Sequence, residues 1–180
     1  MRRFACLMLS VWMLSLAAAG TVSARGTYQT PEDFLAEVFD GDVPEPRVLW
    51  LKGGLRQTAT DILGHRYPSL RIRYWLRDGR SAWILEEIGK EQPITTGIVV
   101  DQGRIERIKV LIFRESRGWE VRYPFFTDQF RGATLNERLE LDRDIDGISG
   151  ATLSVRALER LARLALFLDS EARKRADVTP

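Results

Sequence analysis

Asp146-Gly147-Ile148-Ser149-Gly150-Ala151-Thr152 gathers a carboxylate, two hydroxyls and two glycines into seven residues, directly ahead of a strongly helical stretch. A helix N-terminus presents unbonded N–H groups and the positive end of the helix dipole, so it attracts phosphate. Gly147 and Gly150 let the chain turn tightly and let a ligand approach the backbone closely. Ser149 and Thr152 supply the hydroxyls. The same residues also suit an ordinary capped helix start, and residue chemistry alone leaves both readings open.

Other chemistry-bearing residues are sparse. Asp128-Gln129-Phe130-Arg131-Gly132-Ala133-Thr134 also ends in Gly-Ala-Thr, but Arg131 stands where the first segment has Ser149, and no helical pattern follows Thr134. His65 is the single histidine, and no second ligand for a haem or metal is visible beside it. Asp142, Asp144 and Asp146 alternate as a calcium loop does, without the glycine and distal glutamate that an EF-hand needs. No metal site is expected. Arg71, Arg73 and Arg77 form a row that either docks an acidic partner or is a solvated strand face.

The elements that must position these groups follow from periodicity. Thr30 caps a helix over about 30–39, with Pro31 at its first position and Glu32 and Asp33 behind it. Residues 47–51 form a short strand and 53–64 a second helix. Ile72, Tyr74 and Leu76 alternate with Arg71, Arg73, Trp75 and Arg77, Asp78-Gly79 marks a hairpin turn, and Ser81 to Ile88 returns. Ile94 to Val100 and Arg104 to Phe113 complete an antiparallel meander. Residues 114–145 are mixed and rich in aromatics. A long helix from about Thr152 to Lys174 carries Leu153, Ala157, Leu161, Leu164, Ala165 and Leu168 at helical spacing. The fold class is α+β.

Composition narrows the function. The 180 residues suit one domain with a proper core. Arg2 and Arg3 precede an uncharged stretch from Phe4 to Gly20, and Val22-Ser23-Ala24 fits a signal-peptidase site, so residues 1–24 read as a secretory signal. An uncleaved anchor helix is the competing reading, since the apolar run is about 17 residues, near the lower limit for spanning. The 27 basic and 25 acidic residues balance once the two leader arginines are removed. A neutral mature chain does not suit nucleic-acid binding. The one cysteine, Cys6, lies in the leader, so the mature part offers no disulfide, iron–sulfur ligand or thiol chemistry. Redox work would need an organic cofactor.

The Asp146–Thr152 segment resembles the flavinylation motif of the FMN-binding domain family, whose members include subunits of the sodium-pumping NADH:quinone oxidoreductase and of the Rnf electron-transport complex. Three further segments resemble the family in order and spacing. These are Ile94 to Val100 with Gly103-Arg104-Ile105, then Glu115-Ser116-Arg117-Gly118, then Phe126-Thr127-Asp128-Gln129-Phe130-Arg131-Gly132. The resemblance covers residues 94–168, which places an FMN-binding domain at about 91–172 and leaves 25–90 as an unassigned N-terminal part. It implies FMN attached through a phosphoester to Thr152 by a dedicated flavin transferase, with Asp146 as the acid of the transferase's recognition motif. Ser149, Gly150 and Ala151 would shape the phosphate site. Phe126, Phe130 and Trp119 are candidates to line the flavin ring, with Glu115 and Ser116 near enough to hydrogen-bond.

The expected function is an extracytoplasmic electron carrier, periplasmic or attached to the inner membrane, with a membrane or periplasmic redox partner. A flavin-dependent reductase of a small substrate is an alternative, although no nicotinamide-binding fingerprint is present. An adaptor module that keeps the fold without flavin is the other.

Overall fold

Thr30 Oγ1 accepts the Asp33 N–H at 3.1 Å and caps the first helix. The computed structural model describes residues 26–178, so the leader at 1–24 lies outside it. Helix α1 spans Pro31–Val38, strand β1 Arg47–Trp50 and helix α2 Gly53–Leu63. Strands β2 (Arg71–Arg77), β3 (Arg80–Ile88), β4 (Pro93–Asp101) and β5 (Arg104–Phe113) follow. A 3-10 turn at Trp119–Arg122, the short helix α3 (Pro124–Thr127) and a second 3-10 turn at Asp128–Phe130 lead to helix α4, Thr152–Val178.

The five strands form one antiparallel sheet in the order β1-β2-β3-β4-β5. That is the meander expected from consecutive strands joined by short turns. Tyr74 pairs with Trp83 and Arg77 with Arg80 across the Asp78-Gly79 turn. Asp78 and Gly79 both have positive φ, which matches the right-handed twist of the flanking strands.

Two apolar clusters cover the sheet. The larger holds α2, α4 and the strand residues facing them, including Leu49, Ile72, Tyr74, Trp83 and Leu85. Tyr74 and Trp83 stack with centroids 4.8 Å apart. The smaller lies on the opposite face, where Phe34, Leu35, Val38 and Phe39 meet Ala82, Val99 and Leu111. Gly97 permits that second contact, because a Cβ there would fall 2.6 Å from the Phe34 ring.

Helix α4 packs on β3, β4 and β5 and also against α2. Its middle is therefore buried nearly all round, from Leu161 through Asp169. Asp169 is 1% exposed and takes a 2.6 Å hydrogen bond from Ser81 Oγ and one of 2.7 Å from Arg173 Nε. Trp83 Nε1 donates to Ser81 Oγ, and Arg173 also reaches the Gly79 carbonyl. A buried carboxylate is tolerable only with such partners. The network pins the C-terminal half of α4 to the β2–β3 hairpin.

A second polar strut sits nearer the other end. His65, just past the end of α2, bonds the buried Glu87 of β3 at 2.9 Å through Nε2. Arg160 of α4 approaches the same carboxylate at 3.5 Å. The Glu87 contact chiefly raises the His65 pKa above its ordinary 6.5, against the opposing effects of burial and Arg160.

A folded-state pKa above the unfolded value means that the bond contributes fully below about pH 6.5 and fades as pH rises through the raised value. Urea denaturation of wild type and His65→Asn at pH 6 and pH 8 checks this. The stability difference between them should be larger at pH 6. Asp169→Ala should cost about 3 kcal/mol in the same assay, because it strands Arg173 and Ser81.

Candidate functional site

The N-terminus of α4 opens into a cleft of about 550 Å³, lined on the helix side by Gly150, Ala151, Thr152, Leu153 and Ser154. The opposite wall is Lys90, Glu115, Ser116 and Arg117. Gly150 has a φ of +81°, so the chain reverses just before the helix begins. Thr152 is the first helical residue and is exposed. The N–H groups of Thr152, Leu153 and Ser154 have no acceptor among the described residues. These are the orphan donors of a helix start, aimed at the cleft with the positive end of the dipole behind them.

The two walls are held together by close packing. Gly118 has a φ of +84°, and a Cβ there would lie 2.7 Å from Ser154 Oγ and 3.4 Å from the Ala151 Cβ. Only glycine allows the 115–118 turn to sit this close to the helix start. Ala151 and Ser154 are buried by the contact, whereas Thr152 and Leu153 face outward.

Glu115 lines the cleft and also holds its wall together. Its Oε1 accepts the backbone N–H groups of Lys90, Glu91 and Gln92 at 2.5, 2.6 and 2.9 Å. Burial pushes its carboxyl pKa up, but the three N–H donors from Gln92, Glu91 and Lys90 outweigh it and hold the group below its usual range. Glu115 thus folds the β3–β4 turn into a wall of the cleft and brings Lys90 to its rim. Its Oε1 is not free for a ligand.

The motif loop is fixed from another side. Gln129 Oε1 accepts the Asp146 N–H at 2.7 Å, tying the loop to the turn at Asp128–Phe130. Asp146 and Ser149 are exposed and lie outside the lining of the cleft. Phe126 and Phe130 are fully buried, in edge-on contact at 5.6 Å within the main core. They are not among the residues that line the cleft. Two aromatics in a mixed segment fill the layer beneath the sheet end because burying each is worth about 2 kcal/mol or more. Trp119 stays 44% exposed, directly after Gly118, and Leu153 is equally exposed.

The alternative threonine is already engaged. Thr134 Oγ1 donates to Asp142 Oδ2 at 3.0 Å, and the Thr134 N–H bonds the same carboxylate. Arg143 holds the Asp142 pKa down to about 2, with the Thr134 contacts contributing. Among the described residues no group of three or more histidine, cysteine, aspartate or glutamate side chains is placed to hold a metal ion. No described helix is long and apolar enough to cross a membrane.

Sequence reasoning missed Lys90, Arg117, Leu153 and Ser154 as site residues. It named Gln129 and Gly118 within segments but gave them no role. Lys90 and Arg117 carry no local signal, because only the Glu115 contacts and the Gly118 packing bring them to the helix start.

Residues 89–166 match the family model of the FMN-binding domain, and over this stretch the chain carries a domain of that family. The cofactor of the domain is FMN. A solved structure of a Na(+)-translocating NADH-quinone reductase subunit from Parabacteroides distasonis is similar over 74% of this chain and 82% of that one, at 20% identity and a TM-score of 0.46. No curated protein matches the chain.

The site fits the cofactor. Its volume falls in the range of about 300–1,000 Å³ usual for small-molecule pockets. Free N–H groups and two cations, Lys90 and Arg117, suit a phosphate, while Leu153 and Trp119 offer exposed apolar surface nearby.

If Glu115 builds the wall, Glu115→Gln should loosen the 90–92 turn without unfolding the domain. Hydrogen exchange at those three amides should quicken about tenfold or more, given about 1.5–3 kcal/mol for bonds to a charged acceptor. Wild type should show the same loosening as pH falls below the ordinary carboxylate value of 4.5, because a group with a lowered folded-state pKa loses its contribution in acid.

Proposed function

We propose that the chain is an exported electron-transfer flavoprotein whose FMN is linked through a phosphoester to Thr152 Oγ1. The observation that carries the reading is the position of Thr152. It is the exposed first residue of a 27-residue helix, at the mouth of the cleft, inside the motif that the sequence places there. In the attachment step Thr152 Oγ1 attacks the FMN-side phosphorus of a flavin dinucleotide donor: a P–O bond forms at Oγ1, the pyrophosphate P–O bond breaks, the hydroxyl proton is lost, and a nucleoside monophosphate leaves. A flavin transferase is the catalyst proposed for it.

FMN, once bound, supplies exchange of one or two electrons. The chain supplies the rest. The N–H groups of Thr152, Leu153 and Ser154 hold the remaining phosphate charge, with Lys90 and Arg117 adding positive charge beside it. Leu153 and Trp119 give the ring apolar contact and exclude water from one side. The cleft is open, which suits electron exchange with a docked redox protein better than enclosure of a small substrate. Covalent attachment prevents loss of cofactor outside the cytoplasm, where free flavin is not resupplied.

Export is supported by Arg2-Arg3, the uncharged stretch Phe4 to Gly20 and the Val22-Ser23-Ala24 site. A membrane or periplasmic redox partner follows from the need of a carrier for a donor and an acceptor.

Co-expression with a bacterial flavin transferase in the periplasm tests the linkage. Wild type and Thr134→Ala should run as fluorescent bands on a denaturing gel and gain the mass of one FMN less water. Thr152→Ala should remain dark and unmodified. An unmodified wild-type protein beside a flavinylated control would refute the covalent link.

A further inference from the structure

The arginine row of β2 is not uniform. Arg77 is neutralised, with Nη1 bonding Asp42 Oδ2 at 2.6 Å and Nη2 bonding the Phe39 carbonyl. Arg71 and Arg73 are exposed and have no carboxylate partner among the described residues. They share one face of the strand with Trp75, at alternate positions. That is the face partly covered by α1, and between α1 and β2 it leaves a groove of about 310 Å³. Leu35, Trp75 and Ile84 give the groove apolar walls, Arg71 and Arg73 stand along it, and Glu32 is its one acid.

The apolar character continues outward. Val48 pairs with Arg73 and Trp50 with Arg71 in the β1–β2 register. Val48 is 41% and Trp50 49% exposed. Unpaired arginines interleaved with exposed apolar side chains on an uncovered sheet face form a surface that an acidic, partly apolar partner would neutralise and cover.

We propose that this groove docks an extended acidic segment of a partner protein, with carboxylates on alternate residues and an apolar side chain two residues beyond. The geometry sets that pattern. Arg71, Arg73 and Trp75 point the same way at intervals of about 6.8 Å, the two-residue repeat of extended chain. A segment laid along β2 meets them with acid, acid and apolar side chains at the same repeat. Two guanidiniums give charge-assisted bonds to the carboxylates, and Trp75 with Leu35 and Ile84 takes the apolar side chain. The groove shares no lining residue with the cofactor cleft, so its occupancy is independent of flavin attachment.

The test uses the exported protein, labelled with nitrogen-15, and a blocked heptapeptide, Leu-Thr-Asp-Thr-Asp-Thr-Leu, which reads alike in both directions. The amides of Arg71 and Arg73 and the indole N–H of Trp75 should shift saturably at peptide concentrations up to about 1 mM. Binding should weaken about tenfold or more for the Asn-substituted peptide, for Arg71→Glu/Arg73→Glu, and at high salt. The buried Trp83 indole signal reports that the variant is folded. Absence of shifts, or shifts retained in the folded double variant, would overturn the proposal. So would phosphatidylglycerol vesicles perturbing these residues while the peptide does not.

Discussion

Burial of α4 along the sheet is the constraint from which the site follows. A helix of 27 residues is about 40 Å long, enough to run across β3, β4 and β5 and past them. Its middle is enclosed by β3, β4 and β5 on one side and α2 on the other. Small and aliphatic residues from Ala157 to Leu168 make that enclosure possible. The Asp169 network then fixes the helix lengthwise, because its hydroxyl, carboxylate and guanidinium bond correctly in only one position along the axis. The helix start, and Thr152 with it, is therefore placed by contacts many residues away.

Around that fixed point the rest of the cleft is assembled from loops, each held by a specific polar or steric contact. Gly118 lets the turn after β5 close onto Ser154. Glu115 gathers three backbone N–H groups and shapes the β3–β4 turn. Gln129 holds the motif loop at Asp146. None of these three residues is expected to react with a ligand. They set the distance between the walls, so changes at them should alter the site while leaving its reactive groups intact.

The two ends of the chain divide the labour. The family match begins at residue 89, yet β1 to β3 belong to the same sheet and supply Trp83, Ser81 and Glu87 to the packing of α4. The N-terminal part thus completes the platform on which the FMN-binding domain rests. It also carries the sheet face where charge is left unneutralised, since α1 packs on β3, β4 and the Trp75–Arg77 end of β2 and leaves β1 and Arg71 and Arg73 of β2 uncovered.

Much of this was legible in the sequence by itself. Alternation in Ile72-Arg73-Tyr74, the Asp78-Gly79 turn and the cap at Thr30 are local signals, and the elements form where they point. The Asp146–Thr152 segment marked a glycine turn ahead of a helix start, which suits either a phosphate or an ordinary cap, and its resemblance to the family motif was what favoured the phosphate. The roles of Phe126, Phe130 and Glu115 were decided only by tertiary structure. An aromatic's burial depends on which layer the chain folds beneath. A carboxylate's availability depends on which N–H groups reach it first. Lys90 and Arg117 join the site, and Arg77 parts from Arg71 and Arg73, through contacts between distant segments. Periodicity and motifs report near neighbours along the chain, while charge pairing and cleft walls depend on neighbours in space.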